Sequence, residues 1–156
     1  METMTRSYLS FFLGAEKFAI PVDYVQEIVE VLNITKIPQA PEYMLGIINL
    51  RGNVLPLLDM RLKLGLPYAE ITKKSRVMVL LLHQEDKSIS LGAMVDVAKE
   101  VLEFSPHEIK PAPEMESKTS TPITGIINHQ GDITLLMDID RVFSLQEVNT
   151  INKNLN

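Results

Sequence analysis

Residues 46–64 read GIINLRGNVLPLLDMRLKL, and residues 125–143 read GIINHQGDITLLMDIDRVF. The two stretches align without gaps and share seven identical residues in nineteen positions, where average composition would give about one. The shared residues are Gly, Asn, Asp and apolar types, which are the residues that set turns, helix caps and core positions. Self-similarity of this kind indicates a duplicated structural unit, so the fold of the first copy is expected again in the second.

A weaker match lies upstream of each copy. Residues 18–29, FAIPVDYVQEIV, align with residues 91–102, LGAMVDVAKEVL, and both contain Val-Asp followed by three residues and a Glu. The match precedes Gly46 in the first copy and Gly125 in the second, in the same order. The second copy is six residues longer. Those residues fall within the proline-rich segment 104–122, which we predict as the longest loop.

Each unit is expected to open with a β-hairpin. Apolar runs at 9–13 and 17–21, and at 76–82 and 88–92, flank short polar turns, a pattern typical of hairpins. A short amphipathic turn should follow, started by Asp23 in one unit and Asp96 in the other, because a carboxylate accepts the free amide protons of a first helical turn. A β-rich run over 28–37 comes next.

A second hairpin closes each unit. Residues 46–50 and 53–58 flank Arg51-Gly52, where the Gly supplies the positive φ of a tight turn. Pro56 cannot donate to a strand ladder, which predicts an edge or a bulge. Asp59 and Asp138 are predicted N-caps of short helices. Many short strands with close turns favour two antiparallel barrels of about five strands, and the spacing of apolar residues from 143 onward predicts a C-terminal helix.

Composition excludes several classes of function. The 156 residues carry a net charge of −5 and no Cys, which argues against nucleic-acid binding and against disulfides or thiolate metal sites. The longest apolar run, residues 77–82, is six residues long, far short of the roughly 20 that cross a bilayer. We therefore expect a cytoplasmic location, with no direct insertion into the membrane.

The sequence offers little for catalysis. The histidines, His83, His107 and His129, fall in three separate predicted turns, so no metal site is expected. Phosphate-binding loops and nucleophile elbows have no match. Asp59 and Asp138 can be read as the paired carboxylates of an acid/base enzyme, but helix capping at equivalent places of a duplicated unit explains both more simply.

Arg51 differs from its surroundings because the repeat does not require it: the second copy has Gln130 at the same place. A guanidinium at a hairpin tip is commonly a solvated surface charge. The functional interpretation is a fork of donors that reaches a carboxylate, either Glu27 or an acidic residue of a partner.

Val22, Val25 and Ile28 are spaced three residues apart beside Glu27. This helical spacing predicts an apolar stripe. The stripe is expected to pack in the core, with its outer edge as a possible docking surface.

These residues together carry a family resemblance. V-Q-E-I at 25–28, the loop with Pro38, and GIINLRGNVLPLLDMR at 46–61 resemble the CheW family, the chemotaxis coupling proteins, over about residues 8–143. The resemblance implies a mainly β fold of two five-stranded SH3-like barrels in a pseudo-twofold arrangement, with short helices and a C-terminal helix. It implies a CheW-like domain over 8–145, with subdomains near 14–75 and 76–143 and a tail over 146–156. Whether the first strand is exchanged between the barrels stays open.

The resemblance also implies a non-catalytic adaptor. Proteins of this family couple the cytoplasmic tips of transmembrane chemoreceptors, the methyl-accepting chemotaxis proteins, to the regulatory domain of the histidine kinase CheA. No cofactor, metal or nucleic-acid partner is implied, and the isolated chain is expected to be a monomer that joins receptor clusters. Two alternatives stay open: a CheW-like module excised from a receiver-domain fusion or a kinase, and a hydrolase that uses Asp59 and Asp138.

The partner-binding residues are carried over by position. In such proteins the Arg of N-L-R-G and the Glu of a V-x-E helix lie near one another and bear on receptor and kinase binding. The residues expected to bind partners here are Val22, Val25, Glu27, Ile28, Gly46, Leu50, Arg51 and Gly52. Because the second copy lacks the arginine, the first barrel should carry more of the specificity. No function is carried over to the loop 105–121.

Overall fold

The computed structural model describes residues 5–31, 33–84, 87–112 and 122–143. The strands are β1 (Arg6–Leu13), β2 (Glu16–Pro21), β3 (Val25–Glu30), β4 (Met44–Leu50), β5 (Asn53–Asp59), β6 (Arg76–Gln84), β7 (Lys87–Val95), β8 (Val97–Phe104), β9 (Lys110–Pro111), β10 (Ile123–His129) and β11 (Asp132–Met137). The helices are α1 (Met60–Lys63) and α2 (Ile139–Val142), and short 3-10 turns span Val22–Tyr24 and Pro106–Glu108.

The strands form two sheets. One has six strands in the order β8-β1-β2-β11-β10-β9, and the other has five in the order β3-β6-β7-β5-β4. The prediction of a mainly β fold is therefore confirmed. The sixth strand is β9, only two residues long, and it lies in the segment that the sequence predicted as loop. The C-terminal helix predicted from 143 onward lies, apart from Phe143 itself, outside the described residues.

The two halves of the chain exchange their leading hairpins. We call β1 to α1 the first half and β6 to α2 the second half. The β1–β2 hairpin pairs with β8 and β11 of the second half, and the β6–β7 hairpin pairs with β3 and β5 of the first half. The exchange thus involves a whole hairpin in both directions, so the continuous ranges 14–75 and 76–143 do not each correspond to one sheet.

The repeated glycine at the start of β4 and β10 is explained by a crossing backbone. A Cβ on Gly46 would collide with the carbonyl oxygen of Thr35, which bridges to Ile47. At the equivalent place, a Cβ on Gly125 would lie 2.6 Å from Cγ2 of Ile109. Both glycines sit beside an irregularity in the ladder to the next strand. Only glycine permits this close approach of a third segment to the hairpin.

The hairpin tips repeat the same turn. Arg51 and Gly52 have φ of 51° and 89°, and Gln130 and Gly131 have φ of 54° and 88°. In each turn the preceding Asn side chain accepts a hydrogen bond from the glycine amide, Asn49 from Gly52 at 2.9 Å and its counterpart Asn128 from Gly131 at 3.0 Å. Two successive positive φ values are typical of a type I′ hairpin turn, and the predicted turn is confirmed.

Both predicted helix caps are confirmed. Asp59 accepts the amides of Arg61 at 2.8 Å and Leu62 at 3.4 Å, and Asp138 accepts the amide of Asp140 at 3.0 Å. Pro56, by contrast, does not mark an edge strand, because β5 lies between β4 and β7. Its missing N–H is tolerated because pairing with β7 begins only at the next residue, Leu57.

Two further predictions of local structure are wrong. Asp23 does not cap a helix, since Pro21 precedes a 3-10 turn that has no side-chain cap. Asp96 does not cap a helix either. It lies between β7 and β8, so a strand follows it where a helical turn was predicted. Of the histidines placed in turns, His83 and His129 belong to β6 and β10.

Asp96 has a different role in the fold. Its carboxylate accepts hydrogen bonds from Arg61 Nη2 at 2.6 Å and from the Gly14 amide at 2.7 Å. In the other copy of the repeat, the neighbouring residue takes this part: Tyr24, next to Asp23, donates from Oη to Asp140 Oδ2 at 3.0 Å. Each of these contacts joins the two halves of the chain.

Candidate interaction site

Arg51 and Glu27 come together from the two edges of the five-stranded sheet. Glu27 lies on β3, one edge strand, and Arg51 lies at the tip of the hairpin that contains β4, the other edge strand. Arg51 Nη2 donates a hydrogen bond to Glu27 Oε2. The sheet therefore curls until its edges meet, and the ion pair marks the meeting point. The structure brings together the two charged residues that the sequence singled out.

The ion pair is accessible from solvent. The Arg51 side chain is 68% exposed and that of Glu27 is 31% exposed. Exposed ion pairs contribute about 0–1 kcal/mol to stability, so this pair adds little to folding. Arg51 engages Oε2 of Glu27, while Oε1 is buried and accepts no hydrogen bond from the described residues.

A groove of about 510 Å³ surrounds the ion pair. Its lining includes Gln26 from β3, Leu50 and Val54 from the β4–β5 hairpin, and Ser90 from β7. Val54 is 51% exposed and gives the groove an accessible apolar side chain. The groove thus combines apolar surface with a charged pair, which is the mixture found in protein interfaces.

The other predicted site residues divide between core and surface. Val22 and Val25 pack against the main hydrophobic cluster, whereas Ile28 is 39% exposed. Gly52 is exposed at the hairpin tip, and Gly46 is buried beneath the backbone of Thr35. Gly46 therefore shapes β4 and presents no surface to a partner.

The helical interpretation of this segment is wrong. Val25 and Glu27 lie in the β3 strand, not in a helix, and Val22 belongs to the preceding 3-10 turn. The ladder to β6 is irregular between Val25 and Glu27. Valine and isoleucine favour strands, and hydrogen bonding to β6 of the exchanged hairpin holds this segment in the extended conformation.

The six-stranded sheet has a different set of charges at the equivalent place. Lys17 Nζ lies 3.5 Å from Glu100 Oε1 and 3.5 Å from Asp132 Oδ2. Glu100 is the repeat equivalent of Glu27, but its cation comes from β2 of the exchanged hairpin and not from the turn at Gln130. Sequence reasoning missed Lys17 because its partner strand was not known. It also did not single out Val54, which lines the groove. Ile133, the repeat partner of Val54, is exposed to a similar extent, 52%.

The acid/base alternative is not supported by the geometry. Asp59 is 1% exposed and its Oδ1 serves the α1 cap, while Asp138 caps α2 and lines a separate cavity with Asp140. Burial raises the pKa of Asp59, although the amides of Leu62 and Arg61 counteract this effect. A buried carboxyl cannot reach a substrate as a general acid or base.

The described residues contain neither a cluster of metal-ligating side chains nor a membrane-spanning helix. Over residues 5–31, 33–84, 87–112 and 122–143, no group of three or more acidic or His side chains is placed to hold a metal ion. Within the same ranges no helix has the length and apolarity to span a bilayer.

An accessible groove with an exposed ion pair, built on a duplicated pair of sheets, defines a protein-interaction module. The family model for the CheW-like domain matches residues 7–147, so the chain belongs to the CheW-like family. A chemotaxis protein CheW from Rhizobium meliloti is 33% identical over 143 residues, which is 91% of this chain and 90% of the relative.

Other comparisons agree. A chemotaxis protein CheW from Helicobacter pylori is 31% identical over 135 residues, 86% of this chain and 79% of that protein. The crystal structure of the scaffolding protein TtCheW from Thermoanaerobacter tengcongensis superimposes with a TM-score of 0.79 at 28% identity and covers 92% of this chain and 96% of that one.

Proposed function

We propose that the chain is a non-catalytic adaptor of chemotaxis that couples transmembrane chemoreceptors to the histidine kinase CheA. The family supports this role, as do the relatives, a chemotaxis protein CheW and a scaffolding protein. The kinase partner is its regulatory domain, and the receptor partner is the cytoplasmic tip. The adaptor works in the cytoplasm and is recruited to receptor clusters at the membrane.

The observation that carries the proposal is the exposed Arg51–Glu27 pair in its groove. The backbone of the turn does not require arginine, because Gln130 adopts nearly the same φ in the equivalent turn. The pair adds little to stability because it is exposed. An arginine that neither the turn nor the stability of the fold explains is best accounted for by a partner, and Arg is enriched among residues that dominate interface energetics.

The test is the variant Arg51→Gln, which reproduces the side chain found at the second turn. We expect it to weaken binding to a CheA regulatory domain or to a receptor cytoplasmic hairpin by about 1–3 kcal/mol, or roughly 5- to 150-fold in Kd. Isothermal titration calorimetry measures the affinity, and circular dichroism monitors the fold.

The matched control is Gln130→Ala at the equivalent turn, which should leave both affinities unchanged. Unchanged binding of Arg51→Gln to both partners would contradict the proposal. Unfolding of Arg51→Gln would instead show that the arginine is structural.

A further inference from the structure

We propose that the two halves of the chain are complementary partners whose association does not need the covalent linker between them. A chain cut within the exposed segment 68–71 should therefore keep its native structure and re-form it after unfolding. This inference is independent of the function proposed above, because it concerns how the two halves hold together.

Strand pairing supplies the first argument. Four ladders join the halves: β1 with β8, β2 with β11, β3 with β6, and β5 with β7. Two of these lie in each sheet, so each sheet is completed only by a hairpin of the other half. A half by itself would expose the unpaired strand edges of an incomplete sheet.

The hydrophobic core supplies the second argument. Of the nineteen buried residues in the main cluster of the described chain, eight belong to the first half and eleven to the second. The two smaller clusters are also shared, with Leu57 against Val77 and Val79 in one and Tyr8 against Phe104 in the other. Neither half retains a complete core without its partner, whereas the two together bury all three clusters.

Polar contacts between the halves supply the third argument. Asp96 of the second half accepts hydrogen bonds from Gly14 and Arg61 of the first, and its amide donates to the Phe12 carbonyl at 3.2 Å. Tyr24 of the first half likewise donates a hydrogen bond to Asp140 of the second. These bonds fix the relative position of the halves without help from the linker.

The linker itself contributes little that is specific. Residues 66–72 have no regular secondary structure, and Tyr68 and Ile71 are 55% and 41% exposed. The described hydrogen bonds of this segment lie toward its ends. The Leu66 amide donates to the Arg61 carbonyl, the Pro67 carbonyl accepts from Arg61 Nη1 at 3.2 Å, and the Thr72 amide donates to Ser75 Oγ. Exposed segments of this kind tolerate cleavage and insertion.

The experiment begins with the full chain carrying a recognition sequence for a site-specific protease inserted after Tyr68. The folded protein is cut, and the product is examined by size-exclusion chromatography and circular dichroism at micromolar concentration. We expect the two fragments to elute together with the spectrum of the uncut protein. After unfolding in urea and dilution, the cut protein should recover this spectrum.

Dilution provides a readout specific to association. Tenfold dilution should lower the apparent stability of the cut protein by the equivalent of a tenfold change in the equilibrium constant, about 1.4 kcal/mol, and should leave the uncut protein unchanged. In the cut protein, Asp96→Asn should lower the urea midpoint more than Glu42→Gln, a change at an exposed acid.

Several outcomes would overturn the inference. These are separate elution of the fragments, a midpoint that does not depend on concentration, or recovery only from the uncut insertion chain. Equal effects of Asp96→Asn and Glu42→Gln would show that the Asp96 contacts do not contribute to association.

Discussion

Arg51 and Gln130 occupy the same left-handed position of two equivalent turns, but only Arg51 reaches an acid across the edges of a sheet. Backbone geometry explains the glycine that follows each of them and does not explain the arginine. At the scale of single residues, then, the duplicated chain separates what the fold needs from what a partner can use. Residues that are the same in both copies are those that the fold needs.

Gly46, which is shared by both copies, allows a test of whether the shared residues are needed for the fold. We expect Gly46→Ala to destabilise the protein by about 2 kcal/mol, the usual cost of forcing a strained backbone conformation, because φ is +149° and the new Cβ meets the Thr35 backbone. Urea unfolding measures the loss. Gly52→Asn is the control: φ there is also positive, at +89°, but the position is open and Asn adopts left-handed conformations more readily than most residues, so its loss should be smaller. Equal losses at both positions would contradict this account.

Asp59 tests the cost of a buried charge. Burial raises its pKa, so the folded state holds the proton more tightly than the unfolded state. Its contribution to stability is therefore present below the ordinary pKa and is lost as pH rises through the higher pKa of the folded state. Asp59→Asn keeps a capping oxygen and removes the charge, and it should melt at a higher temperature than the native protein at pH 7.

Asp59→Ala is the comparison, because it removes both the charge and the helix cap. Loss of the cap should lower the free energy of unfolding by about 1 kcal/mol. Calorimetry at pH 7 gives both melting temperatures. An Asn variant no more stable than the Ala variant would contradict the argument.

At the scale of elements, the Asp96 contacts tie the β1–β2 turn to α1 and to the start of β8. Burial opposes ionisation of Asp96, but the Arg61 guanidinium and the Gly14 amide outweigh it and lower the pKa below 3.8. The stability that these contacts provide is present above that ordinary value and is lost as pH falls through the lower pKa of the folded state.

The corresponding variant is Asp96→Asn. It should be less stable than the native protein at pH 7, and the difference should shrink as the pH falls below the ordinary pKa of an aspartate and through the lower pKa of Asp96 in the folded state. Urea unfolding at a series of pH values measures both curves. A difference that does not change with pH would mean that charge is not what Asp96 contributes.

Sequence alone predicted the elements whose causes are local. The Asn49 and Gly52 turn, the Asp59 cap and the hairpin strands each depend on residues a few positions apart. The β3 strand was predicted with helical spacing because its partner, β6, lies in the other half. Arg61 and Asp96 were missed since 35 positions separate them, and nothing in either stretch indicates the other.

The candidate site was predicted in part for the same reason. Arg51 and Glu27 were singled out by comparison of the two copies and by family resemblance, and the structure brings them together. Gln26 and Ser90 were not, because they enter the groove only after the β6–β7 hairpin has joined the first half. Residues that come into contact only through the hairpin exchange cannot be recognised as neighbours from their spacing in the sequence.

At the scale of the whole molecule, hairpin exchange makes the two sheets one cooperative unit. Hydrogen exchange under native conditions should therefore give the same opening free energy for core amides of both sheets, such as Ile20 and Leu136 in one and Leu57 and Leu80 in the other. The main hydrophobic cluster contains Ile20 of one sheet and Leu80 of the other, so opening either sheet exposes core residues of both. A lower value confined to one sheet would contradict this expectation.

The exchange also bears on synthesis. The β1–β2 hairpin leaves the ribosome before β8 does, and seventy-five residues, 22–96, separate the two. At about 5–20 residues per second, translation leaves Phe11 and Ile20, both fully buried in the finished molecule, without their sheet for several seconds. The β1–β2 hairpin is thus made well before the strands that complete its sheet, and its apolar side chains stay uncovered until the second half has been synthesised.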